Sequence, residues 1–405
     1  MSPRARYLAL LGADIGSTLG SQISLVAIPW LVLTTTGSAA DMGLVAATEM
    51  IPYLLSSMLL TPVADRLGLR TSSVLCDLGS ALAVGCIAAF HQGGLALLLV
   101  LVALAGALRG VGDRVKHVLL RPAGQAAGYS AIRMTSTYEG LSRLAALLGA
   151  PLGGLLIAGF GARGAVWLDA ASFAGCAVVV AVVVRAAQAG TATRQAPAEP
   201  YLTALRGGFR YLREDRTLAR MVRVVFALNV FATAATAVFI PVWARDVLHS
   251  PQGLGLALGA YAGGALGGTL LFTLLADRLP QYPVFVIGGL VSCLPRLLVL
   301  ALSDNLLVVV AVNVLAGLGI ASVNPILGAA LYQRVPDALQ TRVIGLCGTV
   351  CFTGVPIGAL AAGWAVSRLG LHTALLAAVL VCVAVLAGPL AAQRRARLDL
   401  SVSRA

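Results

Sequence analysis

Apolar positions along this 405-residue chain gather into twelve stretches, separated by short polar joints. Each is about 20 residues long, enough to cross a hydrocarbon layer of roughly 30 Å as a helix rising about 1.5 Å per residue. The pattern predicts membrane helices over about 7–34, 41–63, 71–91, 94–112, 137–160, 164–187, 221–244, 253–275, 283–303, 305–327, 343–366 and 371–392. The first stretch follows Arg4 and Arg6, as a signal peptide's would. Its apolar run is far longer than the 7–15 residues of a signal core, so it is read as helix 1. The expected fold is an all-α membrane protein.

Two short segments recur. Thr61-Pro62-Val63-Ala64-Asp65-Arg66-Leu67 returns as Thr273-Leu274-Leu275-Ala276-Asp277-Arg278-Leu279, an offset of 212 residues. Gly149-Ala150-Pro151-Leu152-Gly153 returns as Gly354-Val355-Pro356-Ile357-Gly358, an offset of 205. Both offsets are close to half the chain, and each pair holds equivalent places among the helices. The reading is two pseudo-symmetric six-helix bundles, 1–187 and 221–405, related by an axis along the membrane normal. The polar segment 188–220 joins them. It carries Pro197 and Pro200, then a basic amphipathic helix from Tyr201 to Arg220, suited to lie on the inner leaflet or to meet a cytoplasmic partner.

Composition agrees: 59% of residues are hydrophobic, 11% are charged, and the mean hydropathy is +0.91. The net charge of +13 would suit nucleic acid, but its placement follows the membrane. With the N-terminus in the cytoplasm, 24 of the 29 basic residues, Arg109 and Lys116 among them, fall on inner loops and helix ends. Only Arg163, Arg245 and Arg368 fall on outer ones. That asymmetry places both termini in the cytoplasm and excludes a nucleic-acid footprint. Lys116 follows Val115, so no GxxxxGK[ST] phosphate loop exists to drive an ATP-hydrolysing pump. The seven cysteines lie in apolar spans without a CxxC pair or His cluster and read as packing residues, so neither metal nor cofactor is expected. The four tryptophans fall near span ends, where interfacial anchoring is the default.

Ionisable groups inside spans are costly and mark candidate sites. Asp14 begins a stripe with Ser17, Thr18, Ser21 and Gln22, and Glu49 begins another with Tyr53, Ser56 and Ser57. Two such stripes on neighbouring helices fit a shared watery cavity, where a carboxylate can pick up and release protons. Asp14 and Glu49 are therefore the proton-coupling candidates. Asp77 and Asp169 lie nearer helix ends and favour structural roles. Glu139 and Arg143 are spaced i, i+4 and can pair along helix 5. Arg296 sits mid-span beside Pro295 with no carboxylate within one turn. Either another helix supplies its partner, or it faces the cavity and favours anionic groups. Asn229 and Asn313 offer neutral hydrogen-bonding groups for substrate or for neighbouring helices.

The turn Asp65-Arg66-Leu67-Gly68-Leu69-Arg70, with its copy at Asp277-Arg278, puts an acid and bases where they can pair and separate as the inner side closes and opens. Thr61 to Arg70 resembles the signature loop of the major facilitator superfamily: Asp65, Arg66, Gly68 and Arg70 match, while Thr61 and Leu69 replace a usual glycine and a usual base. Gly149, Pro151, Gly153 and Gly154 resemble the glycine–proline motif of that superfamily's antiporters, with the proline one place late. Arg109 is similar to the helix-4 arginine of its drug exporters, with the downstream glycines out of step. The stretches LVAIPWLVL (25–33), GAVWLDAASF (164–173) and QRVPDALQTRV (333–343), with Leu119-Leu120-Arg121-Pro122, resemble the drug–proton antiporter-3 branch, which includes macrolide and siderophore exporters.

That resemblance implies a monomeric secondary transporter in a bacterial cytoplasmic membrane. It would export small, mostly hydrophobic compounds by proton antiport with alternating access. An uptake symporter for a nutrient remains the alternative. A membrane-embedded enzyme is disfavoured, since the chain holds no HExxH, GxSxG or acidic metal pair within a span.

Overall fold

In the computed structural model the described residues are 1–59, 67–90, 93–184, 209, 211–275 and 278–402. They are helical throughout, with no strand among them. The helices are α1 (Pro3–Thr36), α2 (Ala39–Leu59), α3 (Leu69–Ala89), α4 (Leu95–Ala126) and α5 (Ala131–Val183). There follow α6 (Arg216–Leu248), α7 (Pro251–Leu275), α8 (Gln281–Leu302), α9 (Leu306–Arg334), α10 (Asp337–Leu369) and α11 (Leu371–Val402). α5 breaks at Gly161, whose φ of 73° and ψ of 163° suit only glycine, giving limbs 131–160 and 162–183. Counted so, the described residues make twelve helical passages. Nine stretches among the described residues are long and apolar enough to cross a membrane. One of them, Gly140–Val183, has 44 residues, or about 66 Å of helix, the length of two crossings.

Local chemistry sets the ends. Ser2 accepts a hydrogen bond from the Ala5 N–H ahead of Pro3, and Gly37 closes α1 in the left-handed region at φ 71°. Ser130, Asp215 and Asn305 cap α5, α6 and α9 in the same way as Ser2.

Two compact units divide the chain: Met1–Arg194 with His249–Gly259, and Gln195–Leu248 with Ala260–Ala405. Most of the segment expected to be a linker (188–208 and 210) lies outside the described residues. The grouping of 249–259 with the first unit has a local cause. A Cβ on Gly154 would lie 2.5 Å from Gly255 Cα, and one on Gly259 would run into the Pro151 ring. Only hydrogen at these positions allows that approach.

Within each unit glycines set the helix crossings. In the first, a Cβ on Gly149 would strike Gln22 of α1, and ones on Gly106 and Gly110 would strike the Glu49 and Tyr53 carbonyls of α2. In the second, a Cβ on Gly354 would lie 2.6 Å from the Phe226 carbonyl of α6, and one on Gly317 would strike the Tyr261 carbonyl of α7. Gly149 and Gly354 belong to the recurring segment, so each copy performs the same packing.

The structure corrects three expectations. α4 continues to Ala126 where the apolar run predicts an end near 112, which draws Asp113 and Lys116 into a helix. α6 begins at Arg216, earlier than 221, because Asp215 caps it. Trp30 and Trp243 are buried in the protein, while Trp167 and Trp364 are exposed as interfacial anchors would be.

Candidate functional site

The first unit carries its charges on one face each of α1, α3 and α4. On α1, Asp14, Ser17, Ser21 and Ser24 are buried together, while Thr18 and Gln22 are half-buried. On α3 the buried face is Ser73, Asp77 and Ser80. On α4, Arg109, Asp113 and Lys116 recur at i, i+4 and i+7, one stripe of a helix.

These faces converge on Lys116, which is only 4% exposed. Its Nζ lies 3.3 Å from Asp14 Oδ1, 3.3 Å from Asp77 Oδ1 and 3.6 Å from Asp113 Oδ1. The Phe173 ring centroid stands 6.0 Å from the same nitrogen. The Asp14 and Asp77 side chains are buried, whereas that of Asp113 is 42% exposed. The Oδ2 atoms of Asp14 and Asp77 are enclosed and make no hydrogen bond among the described residues.

A second pair adjoins the cluster. Arg109 makes a close ion pair with Glu49, and its guanidinium stands 5.9 Å from the Tyr53 ring centroid. The Tyr53 hydroxyl donates to Asp113 Oδ2 at 3.3 Å, linking the two groups. The Gly106 and Gly110 crossing is what brings α2 close enough for these contacts. Asp169, 1% exposed, accepts from the Ser172 hydroxyl at 3.3 Å.

Of the sequence candidates, Asp14 and Glu49 therefore lie in one connected network. Lys116, Asp77 and Asp113 are the members that sequence reasoning missed. Lys116 falls beyond the predicted end of helix 4, on an inner loop, and Arg109 falls just inside that end. Asp77, expected to be structural and near a helix end, is 2% exposed and ion-paired. The signal lay in Arg109, Asp113 and Lys116, whose i, i+4 and i+7 spacing continues one helical stripe past 112.

The loop candidates divide. Asp65, Arg66 and Asp277 lie outside the described residues, as do the side chains of Glu139 and Arg143. Gly68 precedes α3 at φ 85°, a conformation that favours glycine. Arg70 donates to the Ala181 carbonyl at 2.6 Å, satisfying a carbonyl at the end of α5. Arg278 is exposed. Gly149 and Gly154 make the close approaches described above, Pro151 meets Gly259, and Gly153 sits in ordinary contact with α1.

In the second unit Arg296 is 1% exposed, and its Nε donates to Asn313 Oδ1 at 2.8 Å. Asn313 in turn donates to the Val309 carbonyl at 2.8 Å. The Arg296 guanidinium stacks on Tyr261, 4.2 Å from the ring centroid. Another helix thus supplies the partner, and it is an amide. Asn229 makes an interhelical bond, donating to the Cys351 carbonyl at 2.9 Å.

Long apolar helices enclosing a buried, shared ammonium describe a multi-pass membrane protein. The chain belongs to the transmembrane secretion effector family (MFS_3), whose model matches residues 5–401. It is 30% identical, over 99% of its length and 96% of the relative's, to the multidrug efflux pump Tap of Mycobacterium tuberculosis (strain H37Rv). It is 27% identical to the pump of the same name from Mycolicibacterium fortuitum, covering 92% of each chain. Solved structures confirm the major facilitator fold. The nucleoside transporter NupG matches at a TM-score of 0.79 and 13% identity over 95% of this chain and 98% of that one. A bacterial homologue of the lysosomal transporter Spinster matches at 0.71 and 14%, over 97% of each.

Proposed function

We propose that the protein exports small, mostly hydrophobic compounds, drugs or secondary metabolites, across a bacterial cytoplasmic membrane in exchange for protons. Its two six-helix halves, 1–187 and 221–405, offer the substrate site alternately to either side, and both termini face the cytoplasm. Export rests on the full-length similarity to proteins named as multidrug efflux pumps. Proton exchange rests on one observation, a single buried ammonium facing three carboxylates.

With all four groups ionised the cluster carries a net charge of −2. At 3.3 Å and an effective dielectric constant of about 20, each close pair is worth roughly 5 kcal/mol. One lysine cannot answer three carboxylates in a buried setting, so the cluster is suited to take up a proton. A proton arriving at one of the three carboxylates frees Lys116 to commit to the other two. Its loss draws the lysine back. Such a two-position cation is a means of coupling protonation to movement of α1, α3 and α4. Glu49 and Arg109, tied in through Tyr53, extend the same network toward α2. The Asp65 and Asp277 loops act as inner-gate elements, with Arg70 holding the end of α5.

The test is transport by purified protein in vesicles under an imposed pH difference. Asp14→Asn is expected to abolish proton-driven movement of a lipophilic cation while the protein still reaches the membrane. Equal transport by wild type with the pH difference collapsed would remove proton antiport. Uptake in place of export, in vesicles of known orientation, would replace the pump with a symporter.

A further inference from the structure

We propose that Arg296 forms a binding site for one small monovalent anion, of chloride size, inside the second unit. The site is separate from the Lys116 cluster and does not depend on proton antiport.

Three observations carry it. The first is charge. Both basic side chains in the core of the first unit have carboxylate partners, Arg109 with Glu49 and Lys116 with its three acids. Arg296 is more deeply buried than either, yet among the described residues no carboxylate comes within ion-pair distance of it. Asn313 and Tyr261 supply an amide oxygen and an aromatic face, which orient a guanidinium without neutralising it.

The second is hydrogen bonding. Nη1 and Nη2 are enclosed and have no acceptor among the described residues. A guanidinium offers five N–H donors in a fixed fork, and here only the Nε–H is used. The open edge is the one that grips anions.

The third is space. Arg296 lines a cavity together with Phe231, Ala235, Tyr261, Ser292 and Cys293. It has room for about one water-sized body. That size suits a monatomic ion better than a carboxylate carrying a carbon skeleton. A water there would accept hydrogen bonds and leave the charge unanswered; a halide accepts them and neutralises the charge. The Ser292 hydroxyl is already committed to the Gly289 carbonyl at 2.8 Å, so Arg296 provides the recognition.

The experiment uses full-length protein purified in detergent, with thermal unfolding followed while sodium chloride replaces sodium gluconate at constant ionic strength. Gluconate is too large for the cavity. Wild type is expected to show a saturable rise in Tm with chloride, and with bromide in its place. Arg296→Met, which keeps the bulk and removes the charge, should lose that rise. Ala235→Leu leaves Arg296 intact and fills the cavity, so it should lose the rise as well and stands as an independent check if Arg296→Met fails to fold. A wild-type Tm that is flat, or that climbs linearly without saturating, overturns the proposal. So does a full chloride response in Ala235→Leu, which would place the ion elsewhere.

Discussion

Lys116 Nζ stands 3.3 Å from Asp14 Oδ1, an ion pair that joins α4 to α1 within the protein interior. Removing one partner of a buried pair strands the other charge, at a cost of about 3–5 kcal/mol. Lys116→Met alone is expected to lower the unfolding temperature of the purified protein sharply. Lys116→Met combined with Asp14→Asn and Asp77→Asn should recover much of that loss, because no unpaired charge then stays buried. A triple variant no more stable than the single one would show that the pairing matters little.

Glu49→Gln leaves Arg109 without its carboxylate. The expected result is loss of proton-driven efflux with the protein still present in the membrane. Compound susceptibility and membrane yield, measured together in a host lacking its own exporters, check it. Unchanged resistance in this variant and in Asp14→Asn would take both acids out of the mechanism.

The close crossing of α2 and α4 gives a packing test. In Gly110→Leu the new side chain would meet the Tyr53 carbonyl and the Ser56 hydroxyl, so the helices must part, at about 1–3 kcal/mol. Gly12→Leu, in α1 with open space around it, should stay within about 0.5 kcal/mol of wild type. Thermal unfolding of the two variants side by side decides it. If they are equally affected, the crossing is not held by Gly110.

At the start of α6, Asp215 accepts from the Thr217 and Leu218 N–H groups at 2.9 and 3.1 Å and pairs with Arg334 at 2.8 Å. Partial burial pushes its carboxyl up, but the Arg334 hydrogen bond and the helix N-terminus outweigh that and hold it below the usual carboxylate range. A group whose folded pKa is lowered contributes fully above its unfolded value, and the contribution fades as pH falls through the folded one. The contact should therefore weaken only on the acid side, below about pH 4. Asp215→Ala should cost about 1 kcal/mol at neutral pH and little in acid. A deficit independent of pH would contradict this account.

The twelve apolar runs and the paired segments were legible because a bilayer enforces length and apolarity residue by residue. The same constraint hid the site. Arg109, Asp113, Arg114 and Lys116 crowd a few residues of α4, and in sequence such density reads as an inner loop. Only tertiary structure shows that the acids of α1 and α3 converge on Lys116. Asp14 and Glu49 could be singled out because no other charged residue stands within a turn of either. Asp77 could not, since its value depends on Lys116, 39 positions away. Trp243, near a predicted span end, is buried for a similar reason, as α6 runs on to Leu248.

Translation order adds a last consequence to the lysine's position. Both Asp14 and Asp77 leave the ribosome ahead of Lys116, so the nascent chain presents counter-charges before the cation arrives in the lipid. Among the described residues, every carboxylate paired with Lys116 lies in the first half of the chain. A circular permutation that made α4 precede α1 and α3 would reverse the sequence of arrival, and its expected signature is poor insertion yield despite an unchanged set of final contacts.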